Sequence, residues 1–211
     1  ELMGYIPSIQ RNLVGIGLTR LTLKEITQLV RRGEPGTNVR FSDEIITRIW
    51  ELSGGSPYFA RLVTFKTCMR VIRKDGEEAT IADLADGLRD TLEDWPDETA
   101  TIYKSLLEAF PDAFGAAAVK AMALAAVAHE NAFRVSDVVE RFEWPPESDG
   151  GERGGLSRRI GRFLHRLLTP VNGIVVLSRD PDTERYRCMD GSLPQYVAFR
   201  AFSDAVAESP D

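Results

Sequence analysis

The stretch Glu51-Leu52-Ser53-Gly54-Gly55-Ser56-Pro57-Tyr58-Phe59-Ala60-Arg61 closes one helix and opens another almost without a loop. A glycine just past a helix end takes the left-handed backbone conformation that releases the chain. Serine then suits the N-cap, and proline suits the first helical position, where its missing N–H would have no partner anyway. The helix before this corner starts at the cap Ser42, with Asp43 and Glu44 at its positive end, and carries the stripe Ile45, Ile46, Ile49, Trp50 and Leu52. The helix after it should run to about Arg73, with Phe59, Leu62, Val63, Phe65, Met69 and Ile72 expected in the core. Upstream, Thr22 and Glu25 have capping-box spacing, and Leu23, Ile26, Leu29 and Val30 share a face. Gly33 is expected to stop that helix, with Arg31 and Arg32 near its negative end. Downstream, Thr80 caps a fourth helix running from Ile81 to about Leu92. Residues 22–95 therefore form a four-helix unit.

Asp94-Trp95-Pro96-Asp97 marks a domain boundary, and residues 96–211 have a different pattern. Helices are expected at about 98–110 and 114–129, followed by a short one capped by Ser136 that carries Val138, Val139 and Phe142. After a Pro/Gly/acid loop from Glu143 to Gly155, a strong helix spans Leu156 to Leu168, with Ile160, Phe163, Leu164, Leu167 and Leu168 on one side. Strands at Gly173–Ser178 and Arg185–Met189, joined by the turn Arg179–Glu184, make a hairpin, and a last helix covers Pro194 to Val206. Three helices and then a hairpin is the order of a winged helix. The expected fold is thus mainly α: a four-helix domain, then a winged-helix domain with a three-helix core, a β-hairpin wing and a C-terminal helix. Residues 1–21 hold one short β-capable run, Val14–Leu18, and look like the end of something larger; the first residue is Glu1, as in an expressed fragment.

Composition narrows the function classes. The chain has 211 residues, 43% hydrophobic and 27% charged, with net charge −6, so it can bury a core and does not coat nucleic acid by bulk charge. Its richest apolar run, Phe114–His129, contains Lys120 and falls short of the roughly 20 residues of a membrane span. Cys68 and Cys188 are far apart and in no metal-spaced pattern, which suits free thiols in a cytoplasmic protein; His129 and His165 are equally isolated. None of the five lysines follows a glycine, so there is no Gly-Lys-Ser/Thr phosphate loop, and no catalytic constellation can be assembled. The carboxylates Asp90, Glu93, Asp94, Asp97 and Glu98 read as a solvated acidic surface. Trp50, Trp95, Trp144, Phe110 and Phe133 read as packing residues.

Gly55-Ser56-Pro57, with the helices around it and Leu21-Thr-Leu-Lys-Glu25 before them, resembles the lid of STAND and AAA+ P-loop ATPases. In that class a strand ends the nucleotide-binding core, a helical lid with a Gly-x-Pro motif at a helix start follows, and a winged helix often comes next. The resemblance implies that residues 1–21 are the end of the ATPase core, 22–95 the lid and 96–211 the winged helix. It also implies that Gly55, Ser56, Pro57, Tyr58 and Arg61 lie against a nucleotide. ATP or ADP with Mg would be held by an N-terminal core, the chain's main partner, and this segment would need no cofactor and have no enzymatic activity by itself. The same Gly-Gly-Ser-Pro run also meets the needs of any tight helix–helix corner, and both readings stand at this point.

The second candidate surface is the helix from Leu156 to Leu168. Arg158, Arg162 and Arg166 follow i, i+4 spacing, Arg159 lies beside them, and Arg153 and His165 add to the set. This is the recognition-helix position of a winged helix, with Arg179, Arg185 and Arg187 on the wing. Such a face suits DNA phosphates and base edges. It equally suits a protein partner, or the acidic stretch Asp75–Glu98, because arginine outnumbers lysine 21 to 5 throughout the chain. The alternatives to a lid are a free-standing winged-helix DNA-binding regulator and an adaptor with two helical surfaces.

Overall fold

In the computed structural model, residues 19–145 and 155–208 are described. The expected strand Val14–Leu18, Arg153 and most of the Glu143–Gly155 loop lie outside them. The described residues form nine helices and one two-stranded antiparallel sheet: α1 Leu23–Thr37, α2 Asp43–Ser53, α3 Pro57–Arg73, α4 Ile81–Glu93, α5 Asp97–Ala109, α6 Ala113–Ala128, α7 Val135–Glu140, α8 Leu156–Arg166, β1 Leu177–Arg179, β2 Tyr186–Cys188 and α9 Leu193–Glu208. The protein is mainly helical. None of the described helices is long and apolar enough to cross a membrane.

Local chemistry sets most helix starts. The Thr22 hydroxyl accepts from Glu25 N–H while the Glu25 carboxylate accepts from Thr22 N–H at 2.8 Å, and Thr80 and Asp83 repeat the exchange at α4. Ser42, Ser56 and Asp112 accept from Ile45, Phe59 and Gly115 N–H. Ser136 does not cap α7. Arg134 holds the N-cap position, and Asp137 accepts from its N–H at 2.7 Å, because the acid three residues on reaches that free amide.

Gly33 does not stop α1, which continues through Pro35 to Thr37 and ends at Asn38 in the left-handed conformation. Tertiary ties hold this extra turn. Glu34 Oε1 accepts from Phe41 N–H at 2.9 Å and from Arg31 at 2.7 Å, and Arg31 also reaches Phe41 O and Asp43. The last turn of α1 is thereby locked to the start of α2.

Helix α3 also departs from expectation. Its buried face is Ala60, Val63, Thr67, Cys68 and Val71, whereas Phe65 and Ile72 are 57% and 41% exposed. The helix is apolar on several sides, so periodicity alone cannot choose the inward one. Close approach to α4 chooses it: a Cβ on Gly87 would lie 2.7 Å from Thr67 N, so the two backbones meet where the side chains are smallest.

Glu93, Asp94, Asp97 and Glu98 are exposed as expected, whereas Asp90 is half-buried, and several acids of this stretch are tied to α3. Asp90 takes a bidentate pair from Arg70, Asp83 pairs with Lys74, and Asp94 pairs with Lys66, each on or just past α3. Burial would raise the Asp83 carboxyl, but the Lys74 ammonium and the Thr80 hydroxyl and amide outweigh it and hold it below the usual range.

The hydrophobic core is one continuous cluster that crosses residue 95. Helix α9 makes the join. Leu193 to Phe199 are all buried, and α9 packs on both α4 and α6. Phe199 meets Phe59 and Trp95 edge-on, while Phe59 and Trp95 stack at 5.4 Å. Arg89 donates to Ser203 O at 2.8 Å, and Thr99 donates to Asp190 at 2.7 Å.

The hairpin is shorter than expected, with Leu177 opposite Cys188 and Arg179 opposite Tyr186. Asp180 closes its turn by accepting from the Asp182 and Thr183 amides. A further extended residue joins it: Phe133, between α6 and α7, forms an antiparallel bridge with Tyr186.

Candidate functional site

The Gly-Gly-Ser-Pro corner is built from both of its glycines. Gly54 and Gly55 have φ of 57° and 74°. A Cβ on Gly54 would lie 2.7 Å from Val127 O, and one on Gly55 would lie 2.6 Å from Leu21 O. Leu21 N–H donates to Gly55 O at 2.8 Å, and Leu21 O accepts from Trp50 Nε1 at 3.1 Å. Arg20 donates to Val127 O. The close approach that the glycines permit is therefore taken up by the chain's own residues 20–21 and the end of α6. Gly55 itself is buried.

Beyond the glycines, the residues face outward. Pro57 is exposed, Tyr58 is 67% exposed, and Ser56 is half-buried with its hydroxyl capping α3. Tyr58 lines a groove of about 250 Å³ with Phe59, Leu62, Lys66, Trp95 and Pro96. Arg61 does not share it. It lines a second groove of about 390 Å³ between α1 and α3, with Leu29, Gly33, Phe41 and Phe65. The structure thus brings Ser56, Pro57 and Tyr58 together at the start of α3 and sets Arg61, one turn further along the helix, in a separate groove.

On α8, Ile160, Phe163 and Leu164 point into the core, and Ser157, Arg158, Arg162, His165 and Arg166 are exposed. The arginines divide by what they touch. Arg159 is half-buried, its guanidinium 4.0 Å from the centre of the Phe114 ring and 5.8 Å from that of Trp144, which is a packing position. Arg166 lies 5.4 Å from the centre of the Phe110 ring. Arg158 and Arg162 have no carboxylate or ring partner among the described residues. The wing arginines are partly engaged, since Arg179 pairs with Glu184 and Arg185 donates to Ala132 O at 3.0 Å. Among the described residues no ion pair joins Asp75–Glu98 to α8, and Asp90 and Asp94 of that stretch bind Arg70 and Lys66 of α3.

Two features of these surfaces escaped the sequence. Gly161 is half-buried on α8, between Arg158 and Arg162, and a Cβ there would meet nothing within 4 Å. Its lack of a packing reason is visible only in three dimensions. The bridge from Phe133 to Tyr186 is the other, since one extended residue has no periodicity to read, although the burial of Phe133 agrees with its reading as a packing residue.

Cys68 and Cys188 are both buried and unpaired, and burial together with nearby Asp190 pushes the Cys188 thiol up to about 12. Among the described residues no group of His, Cys, Asp and Glu could hold a metal ion. No family model, curated protein or solved structure matches the chain.

Proposed function

We propose that this chain is the lid and winged-helix part of a STAND- or AAA+-type P-loop ATPase. The observation that carries the reading is the hydrogen bond from Leu21 N–H to Gly55 O. It puts the segment that would leave the ATPase core against the foot of α3, where Pro57 and Tyr58 face outward. A nucleotide held on that core would meet a rigid proline face, an aromatic ring and the partial positive charge of the α3 N-terminus. Gly55 and Arg20–Leu21 shape the corner, and Ser56, Pro57 and Tyr58 do the touching. Phosphates and Mg would belong to the core.

The second half of the reading draws on α5 to α9. Helices, an isolated extended residue, two more helices and a hairpin, with Phe133 paired to the second hairpin strand, fit a winged helix. Helix α9 packs on both α4 and α6, so a rotation of the lid would carry the winged helix with it. The test is the reading frame upstream of Glu1. A Walker A and Walker B pair within about 150–200 residues is expected. An upstream frame without either motif overturns the proposal.

A DNA-binding role has its own observation in favour. Arg158 and Arg162 are exposed side by side, and Gly161 on the flank of that face has open space where a Cβ would stand, which suits the approach of a phosphate backbone. Binding to duplex DNA would weaken steeply with salt, and Arg158→Ala with Arg162→Ala would flatten that slope by about 2. Salt-insensitive or absent binding contradicts this role.

A further inference from the structure

Helix α3 buries the face its small residues allow and leaves an apolar one outside. Tyr58, Phe65 and Ile72 are 67, 57 and 41% exposed, and Leu62 and Met69 are half-buried. The five fall at 58, 62, 65, 69 and 72, in alternating steps of four and three. That is the seam spacing with which one helix meets another. No other helix among the described residues exposes more than one large apolar side chain.

The surroundings suit a helix lying along this seam. Each side carries a groove, and the larger of the two, between α1 and α3, is lined by Leu29, Phe41 and Phe65. Gly33 lines that groove, and a Cβ there would meet nothing within 4 Å, so the groove stays open where packing within the chain does not require it.

Charge selects the occupant. Helix α3 carries Arg61, Lys66, Arg70 and Arg73 and no carboxylate, and the carboxylates lining the two grooves are already paired, Glu34 with Arg31 and Asp94 with Lys66. Arg70 and Lys66 are held by Asp90 and Asp94. Arg61 is exposed and has no ion-pair partner among the described residues, and Arg73 is 63% exposed, 4.0 Å from its nearest carboxylate oxygen. In a parallel or an antiparallel pairing of two copies, these cations would face their own kind, which disfavours self-association.

We propose that the Tyr58–Leu62–Phe65–Met69–Ile72 seam docks an amphipathic helix of a partner protein, one whose apolar face is flanked by acidic residues. The inference shares Tyr58 with the nucleotide reading but does not depend on it, and its test uses no nucleotide and varies only Arg61, Phe65 and Arg73. Two labelled three-heptad peptides with the same Leu/Ile seam, one flanked by Glu and the other by Lys, are titrated against the chain by fluorescence anisotropy. The Glu-flanked peptide should bind saturably and at least about tenfold tighter than the Lys-flanked one. Phe65→Ala should weaken it by about tenfold or more, and Arg61→Glu with Arg73→Glu should abolish the preference. All three residues are exposed, so circular dichroism should show the variants folded. Equal binding of both peptides, binding indifferent to Phe65→Ala, or no binding of either overturns the proposal. So does a dimer in sedimentation velocity that Phe65→Ala dissolves, which would make a second copy the occupant.

Discussion

Phe133 and Tyr186 exchange both of their backbone hydrogen bonds, at 3.0 and 2.7 Å, and their rings stack with centroids 6.1 Å apart. This pair fastens the turn between α6 and α7 to the hairpin 53 residues further along the chain. Phe133 is fully buried. Phe133→Ala should cost about 3–5 kcal/mol, the loss of a large core side chain plus the cavity it leaves. Urea unfolding followed by circular dichroism measures it. A loss below about 1 kcal/mol would mean that the surrounding side chains collapse into the space the ring leaves.

Two glycines should respond in opposite directions. Gly55→Ala adds a methyl 2.6 Å from Leu21 O on a backbone with φ of 74°, so it should destabilise by more than about 2 kcal/mol. Gly161→Ala meets nothing and sits in a helix, so it should stabilise by up to about 1 kcal/mol. Unfolding midpoints of the two variants check the pair. A neutral Gly55→Ala would show that the corner relaxes freely.

Acid should unfold the protein through its paired aspartates. The Arg70 hydrogen bonds hold Asp90 below the usual carboxylate range, and Asp83 and Asp190 are held low by partners that outweigh their burial. A depressed folded value means that the unfolded chain takes up protons first. The stabilisation is present above the unfolded aspartate value of about 3.9 and is lost as pH falls through the folded values. The urea midpoint should therefore be flat near neutrality and drop below about pH 4, with a shallower drop in Asp83→Asn. A midpoint indifferent to acid would contradict these ion pairs.

Cys188 should resist alkylation. Its thiol is buried and pushed up to about 12, so almost no thiolate exists near neutrality. Iodoacetamide at mildly alkaline pH should leave it unmodified in the native protein and label it in denaturant, as read by mass spectrometry. Rapid native labelling would mean that the region around β2 opens readily.

What the sequence made legible was local. The caps at Thr22, Ser42, Ser56 and Thr80 are complete within four residues, so helix starts could be placed from the chain alone. Gly33 misled because its stop signal is overridden by Glu34 and Arg31 reaching Phe41 and Asp43. Phe65 and Ile72 misled because the inward face of α3 is chosen by Gly87, on another helix. On α8 the arginine spacing was visible, but the rings of Phe114, Trp144 and Phe110 decide which guanidinium groups are left for a ligand. At the corner, the Gly-x-Pro pattern was plain, yet only the fold reveals that Leu21 fills the space beside Gly55.

The most direct test of the lid proposal is the ADP affinity of the full-length protein, comparing wild type with Pro57→Ala and Tyr58→Ala. Both residues are exposed, so neither change should disturb folding. If α3 presents its N-terminus to a bound nucleotide, each variant should bind ADP about tenfold more weakly, a loss of about 1.4 kcal/mol, with unfolding midpoints unchanged. Unchanged affinity in both variants would contradict the account and leave Gly54-Gly55-Ser56-Pro57 as a structural corner alone.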